Sequence, residues 1–141
     1  MTEEGYSDQP LDVTTLDLFS RRAATHALIE RSLFSPDRLS PRMLVLHLDA
    51  GQYPSPIVTA RLDVRWFEGG DYSFHYLESD GETRWQCRWD RHPKPDTPRS
   101  HFHPPPDAKG IEHSEVDADH PLGVLFVILD WVSSRVEQTH G

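Results

Sequence analysis

The chain has 141 residues, of which 36% are hydrophobic and 26% charged, and its formal net charge is −9. This length suits a single domain over residues 1–141, and the acidity argues against indiscriminate nucleic-acid binding, in which cationic contacts with phosphates dominate affinity. No apolar run approaches the ~20 residues of a membrane span and the acidic N-terminus is unlike a signal peptide, so we expect a cytoplasmic protein without membrane contact. The abundant acidic residues and scarce lysines are typical of a halophile-like composition.

The first part of the chain predicts a tail, a helix and a strand. Residues 1–13 are predicted to be flexible. A helix is predicted over residues 16–33, capped by Thr14 or Thr15, because apolar side chains there recur at helical spacing. Residues 43–49 predict a strand, since apolar side chains alternate along it. The side chains that share one side of that strand are Leu44, Leu46 and Leu48.

Three alternating strands between residues 57 and 90 form the clearest pattern in the chain. Apolar and polar side chains alternate along each strand, so one face of the sheet is predicted to be aromatic and the other polar. Between the first two strands, a three-residue loop of Glu68, Gly69 and Gly70 sets Trp66 beside Tyr72. This register places the aromatic rings of both strands on one face.

The next turn, Asp80-Gly81, predicts a two-residue hairpin that pairs Ser79 with Glu82. In this register Tyr76 lies opposite Trp85. The polar face then has three cross-strand rows: Arg61–Leu77–Arg84, Asp63–His75–Gln86 and Arg65–Ser73–Arg88. Such a face is either a cationic platform for a phosphodiester or a solvated surface of Arg–Asp pairs.

The C-terminal third predicts a proline-rich loop and an apolar helix. Six prolines fall within residues 93–106, which suits an ordered loop across the sheet edge. Pro121 suits the first position of a helix that is apolar almost all round from residue 122 to 136. One side of this helix covers the sheet, and the surplus apolar surface requires either deep burial or a second protein. Phe126 and Trp131 are the candidate partner-binding residues, for a partner protein or for a second copy in a homodimer.

These elements predict an α+β fold. The sheet is expected to be an antiparallel meander of about four strands. The N-terminal helix and the apolar C-terminal helix are expected to pack on one face of it.

Residues 88–103 carry the densest set of chemically useful side chains. Three arginines, three histidines and two aspartates fall within these sixteen residues. If the strand persists, alternation places them on one face with the other arginines. The candidate catalytic residues are Arg88, Asp90, His92, His101 and His103. The candidate RNA phosphate-binding residues are Arg61, Arg65, His75, Arg84 and Arg99.

This grouping suits two kinds of catalysis. Without any cofactor, one histidine takes the proton of a ribose 2′-hydroxyl, another protonates the departing 5′-oxygen, and arginines stabilise the phosphoryl charge. In the alternative, His92, His101 and His103 bind a transition metal with Asp90, and the metal activates water. The nearby arginines repel a cation, so the metal-free reaction is preferred.

Several segments follow one another in a characteristic order: the strand 72–76, the acidic turn 78–81, Arg88-Trp89-Asp90, a proline- and histidine-rich segment, His101-Phe102-His103 and an apolar last helix. This order resembles the TumE family of prokaryotic toxin–antitoxin toxins over residues 57–136. The resemblance implies RNA-directed toxicity and a cognate antitoxin, often a helix-turn-helix DNA-binding protein. Members of the family tend to carry Asn directly after the Asp that corresponds to Asp90, and paired histidines after the proline that follows. The present chain has Arg91 there and His92 before the proline, so the residues carried over are Arg88, Asp90, His101 and His103.

The sequence therefore supports three hypotheses. The first is a toxin that cleaves RNA without a metal ion. The second is a non-catalytic module that docks a partner through the last helix. The third is a haloadapted protein whose arginines and histidines only neutralise nearby carboxylates. The first requires Arg88, His101 and His103 to converge near one phosphate.

Overall fold

A computed structural model describes residues 9–92 and 99–140. Within them, one helix, a seven-stranded antiparallel sheet in chain order and a second helix follow one another. The elements are α1 (Val13–Ala23), β1 (Ile29–Ser35), β2 (Met43–Leu48), β3 (Thr59–Trp66), β4 (Tyr72–Ser79), β5 (Arg84–Arg91), β6 (Ser100–His103), β7 (Glu112–His113) and α2 (Pro121–His140). The α+β prediction is confirmed, but the predicted number of about four strands was too low.

Two predicted segments fall partly outside this description. Residues 1–8 of the segment predicted to be flexible and residues 93–98 of the predicted proline-rich loop are not among the described residues. Later in that loop, the Pro106 carbonyl oxygen accepts a hydrogen bond from Gln86 N at 2.9 Å, so this part of it runs beside β5.

Helix α1 is shorter than the sequence pattern predicts. Asp12 caps it, since its Oδ1 accepts a hydrogen bond from Thr15 N at 3.0 Å, so Thr14 and Thr15 lie inside the helix and are not its caps. After Ala23 the chain turns, and Ile29–Ser35 pairs with β2 as strand β1. The prediction that the helix extends to residue 33 was wrong. Pairing with β2 satisfies the backbone N–H and C=O groups of residues 29–35 as well as a helix would, and the spacing of apolar residues within the segment does not reveal this pairing.

Both helices pack on the aromatic face of the sheet, as predicted. Phe19 of α1 meets Trp66 edge to face, with 5.6 Å between ring centroids. Trp131 of α2 meets Trp89 in the same way at 5.0 Å. The side chains that are fully buried between sheet and helices include Leu16, Leu44, Leu46, Leu62, Phe74, Tyr76, Leu125 and Ile128.

The first turn of the meander has the predicted register. Trp66 lies opposite Tyr72, and their rings stack with centroids 5.0 Å apart. Gly69 and Gly70 have φ angles of +94° and +95°, which a residue with a side chain adopts only under strain. The glycine pair therefore fixes β3 against β4.

The second turn is not the predicted two-residue hairpin. Ser79 pairs with Arg84, so four residues form the loop. The Asp80 carboxylate accepts hydrogen bonds from Glu82 N at 2.8 Å and from Thr83 N at 2.7 Å. These bonds stabilise a wider turn around the carboxylate, and the register of β5 moves by two residues.

This shift rearranges the polar face but does not exchange the two faces, because side chains alternate with a period of two. The observed rows are Arg61–Leu77–Gln86, Asp63–His75–Arg88 and Arg65–Ser73–Asp90, while Tyr76 lies opposite Cys87. Arg88 therefore lies beside His75. Arg84, predicted in the row of Arg61, lies instead opposite Ser79 near the end of both strands.

Helix α2 begins at Pro121, as the sequence predicts, and extends to His140. Neither of the described helices combines the length and apolarity that crossing a bilayer requires. The helix instead covers the sheet, with Val124, Leu125, Ile128, Leu129 and Val132 fully buried.

Candidate active site on the polar face

The pairing of β5 with β6 brings all five predicted catalytic residues to one place. Arg88 lies opposite His103, and Asp90 lies opposite His101. The His101 ring centroid is 5.3 Å from that of His92 and 6.5 Å from that of His103. We call these five residues the β5–β6 cluster.

Asp90 is the buried anionic centre of this cluster, with 1% of its surface exposed. Its Oδ2 lies 2.9 Å from Arg88 Nε and 2.9 Å from His103 Nε2. Burial alone would raise the pKa of Asp90, but the contact with His103 and the charge of Arg88 outweigh it and lower the pKa below its usual range. Asp90 is therefore ionised at neutral pH.

His103 has an acceptor at each of its ring nitrogens. Its Nδ1 lies 2.9 Å from the Gly110 carbonyl oxygen, which can only accept, so Nδ1 carries a proton. Its Nε2 lies 2.9 Å from Asp90 Oδ2, without the alignment of a hydrogen bond. The two contacts hold the His103 ring in place beside Asp90.

His92 and His101 form the remaining imidazole pair. Their rings are inclined at 38° to each other. Only 9% of His92 and 2% of His101 are exposed. Rings at this spacing are close enough to contact the oxygens of a single phosphodiester.

The arginines beside the cluster are paired with carboxylates. Arg61 Nε lies 3.2 Å from Asp63 Oδ1, and Arg99 Nη2 lies 2.6 Å from Asp71 Oδ1. Arg65 lies opposite Ser73, in the row that continues to Asp90. These pairs correspond to the alternative of Arg–Asp pairs on a solvated face, and they reduce the positive charge available to a phosphate.

Two other predicted phosphate-binding residues have different surroundings. His75 Nε2 lies 2.8 Å from Gln86 Oε1. Burial first, and then the charges of Arg88 and Arg61, lower the pKa of His75, so its ring is neutral at pH 7. Arg84 is exposed at the far end of β5, most of a strand away from Asp90.

The metal alternative has no geometric support in the described residues. Across residues 9–92 and 99–140, no three His, Cys, Asp or Glu side chains come together as metal ligands. In the cluster, Asp90 is already engaged by the Arg88 guanidinium and the His103 ring, and the charge of Arg88 repels a metal ion.

One histidine on this face had not been predicted as a site residue. His113 of β7 lies opposite His101 and is exposed. Strand β7 is two residues long, so it has no alternation that a sequence pattern would reveal. Only the long-range pairing of β6 with β7 places this imidazole beside the cluster.

The predicted partner-binding residues pack partly against the core. Trp131 lies against Trp85, with ring centroids 6.3 Å apart, and against Trp89. Phe126 also contacts the core, and the Arg22 guanidinium lies over its ring at 5.8 Å. Both residues therefore contribute to packing, whatever they bind.

Comparison with protein families decides the broad assignment. The sequence profile of the family described as toxin TumE matches residues 16–136. The chain belongs to the TumE family. The match begins in α1 and ends in α2, so this TumE member contains the whole sheet within the matched region. No curated protein and no solved structure matches the chain.

Family membership makes this TumE chain the toxin component of a toxin–antitoxin system. It also implies a cognate antitoxin as a partner. The recognition of TumE from the order of segments in the sequence is thereby confirmed.

Proposed function

We propose that this TumE toxin cleaves RNA in the cytoplasm by acid–base catalysis that needs no metal ion. The observation that supports the proposal is the convergence of Arg88, Asp90, His92, His101 and His103 on one face, across a single strand pair. Two imidazoles can serve as general base and general acid in phosphodiester cleavage, and a guanidinium held by a carboxylate can stabilise the phosphoryl charge.

His92 and His101 are assigned the proton transfers because their rings lie side by side, with centroids 5.3 Å apart. One imidazole removes the ribose 2′-hydroxyl proton, and the 2′-oxygen attacks phosphorus. The bond from phosphorus to the 5′-oxygen breaks as the other imidazole donates its proton to that oxygen. The products are a 2′,3′-cyclic phosphate and a free 5′-hydroxyl.

Arg88 is assigned to the phosphoryl charge. Its side chain is 36% exposed, whereas the Asp90 side chain that holds it is 2% exposed, so the guanidinium reaches solvent from a fixed base. Asp90 and His103 are positioning residues in this scheme. Arg65 lies in the cross-strand row of Asp90, and the exposed His113 lies opposite His101, so these two residues are assigned to RNA contacts beside the cluster together with Arg99.

Cleavage of RNA in the presence of EDTA tests the proposal. Purified wild-type protein is expected to cut single-stranded RNA, and His101→Gln or His92→Gln is expected to reduce the rate by about 100-fold or more. His120→Asn is the matched control, because His120 lies outside the cluster and Asn preserves its cap on Leu122 N. Cleavage that requires added zinc or manganese would overturn the metal-free mechanism.

A non-catalytic binding module is the second candidate function. It is favoured by the pairing of Arg61, Arg88 and Arg99 with aspartates and by the burial of the cluster's imidazoles. If the protein is such a module, expression of the His101→Gln variant is expected to arrest growth as strongly as expression of the wild type. The catalytic proposal instead requires growth arrest to be lost while the protein still folds.

A further inference from the structure

A cleft on the opposite side of the sheet is separate from the β5–β6 cluster. It has a volume of about 720 Å³ and lies between α2 and strands β5 to β7. This volume falls within the range of ~300–1,000 Å³ that is typical of ligand sites. On β6, Phe102 points into the cleft while its neighbours His101 and His103 lie on the polar face, so the two sites share a strand but not a face.

The floor of the cleft is aromatic. Trp131 stacks against Trp85 at 6.3 Å between ring centroids and meets Trp89 at 5.0 Å. Trp85, Phe102 and Trp131 are each only partly buried, so their rings face the cleft. Val127 of α2 adds an exposed apolar side chain, with 43% of its surface accessible.

The rim of the cleft is acidic. Glu112, Glu115 and Asp130 line it and are all exposed. Two basic residues, His113 and Arg135, also line it, and Arg135 is neutralised by Glu78, to which its Nε and Nη2 each donate at 3.0 Å. The Arg135 guanidinium also lies 3.8 Å above the Trp85 ring. The cleft therefore presents indole faces under a net negative rim.

We infer that this cleft binds a segment of the cognate antitoxin in which an arginine or lysine stands next to an apolar or aromatic side chain. Because Arg135 already lies over Trp85, the cation would lie against the indole of Trp131. The rim carboxylates would add a Coulombic attraction to the cation–π contact. The apolar neighbour would fill the space beside Val127 and Phe102. This inference rests on the toxin assignment and does not depend on RNA cleavage.

Charge reversal on the rim tests the inference with the purified cognate antitoxin. Glu115→Lys combined with Asp130→Lys is expected to weaken antitoxin binding by at least about tenfold, measured by calorimetry. Glu137→Lys is the matched control because Glu137 is exposed on α2 outside the cleft. The control is expected to bind within about twofold of wild type, and an unchanged affinity in the double variant would overturn the inference.

Two further readouts identify the occupant. Antitoxin binding is expected to shift the tryptophan emission of the wild type, since Trp85, Trp89 and Trp131 line the cleft. If sedimentation instead shows that rim reversal converts a dimer of the toxin to monomer and leaves antitoxin affinity intact, the cleft is a homodimer interface and the inference is wrong. RNA cleavage by the double variant is measured in parallel, so failure of the ribonuclease proposal is recognised separately.

Discussion

At the scale of single residues, the polar face depends on how Asp90 is kept ionised inside the protein. A buried carboxylate is costly unless cations and hydrogen-bond donors surround it. The Arg88 guanidinium and the His103 ring each lie 2.9 Å from Asp90 Oδ2. The contact with Arg88 also fixes the orientation of its guanidinium.

Replacing Asp90 tests this charge arrangement. Asp90→Asn leaves His103 and Arg88 without their buried anion and is expected to lower the free energy of unfolding at pH 7 by about 3–5 kcal/mol. Urea unfolding measures the loss, and Asp117→Asn, at an exposed carboxylate, is the control.

The pH dependence of this difference has a defined sign. The folded-state pKa of Asp90 is lowered, so its contribution is complete above the unfolded value of ~3.9 and fades as the pH falls through the lower folded-state pKa. The difference in stability between wild type and Asp90→Asn should therefore shrink below about pH 4. A difference that matches the Asp117→Asn control at neutral pH would contradict the charge arrangement.

At the scale of elements, local patterns predict the meander well and its connections less well. Alternation in β3, β4 and β5 identifies both faces, and Gly69-Gly70 identifies one register. The loop between β4 and β5 was predicted wrongly because the Asp80 carboxylate accepts hydrogen bonds from Glu82 N and Thr83 N. These bonds stabilise a wider turn than the predicted two-residue hairpin. Strand β1 was missed because its pairing with β2 is a tertiary contact that helical spacing does not reveal.

The contact between Arg135 of α2 and Glu78 of β4 could not be predicted from local sequence patterns either. Glu78 stands next to an acidic turn in the sequence, yet it is 1% exposed on the aromatic face. Its Oε1 and Oε2 accept hydrogen bonds from Arg135, and its Oε2 also accepts one from Tyr76 Oη at 2.7 Å. A partner 57 positions away along the chain is what allows the charge to be buried.

Glu78→Gln is therefore expected to loosen α2. It removes the charge that Arg135 pairs with, and we expect a loss of about 3 kcal/mol in the free energy of unfolding. The measurement is urea unfolding followed by circular dichroism. Glu82→Gln, at an exposed position in the β4–β5 loop, is the control and should change stability little. Equal free energies of unfolding for the two variants would show that the Glu78–Arg135 pair does not stabilise the packing of α2.

At the scale of the whole molecule, the sheet separates two surfaces. The aromatic face carries both helices and the acid-rimmed cleft, and the polar face carries the β5–β6 cluster. Strand β6 contributes to both, with Phe102 on one side and two histidines on the other. The sequence predicted the clustering of Arg88, Asp90, His101 and His103, but not His113 or the cleft, because both depend on pairing and packing between distant segments.

The pH dependence of RNA cleavage in EDTA tests the central claim most directly. Because one imidazole must be neutral and another protonated, the rate is predicted to rise to a maximum and then fall as the pH is increased. His92→Gln and His101→Gln should each flatten one limb of the profile, while His120→Asn should retain both. Absence of cleavage at every pH, or a profile that neither cluster variant alters, would contradict the assignment of acid–base catalysis to these two histidines.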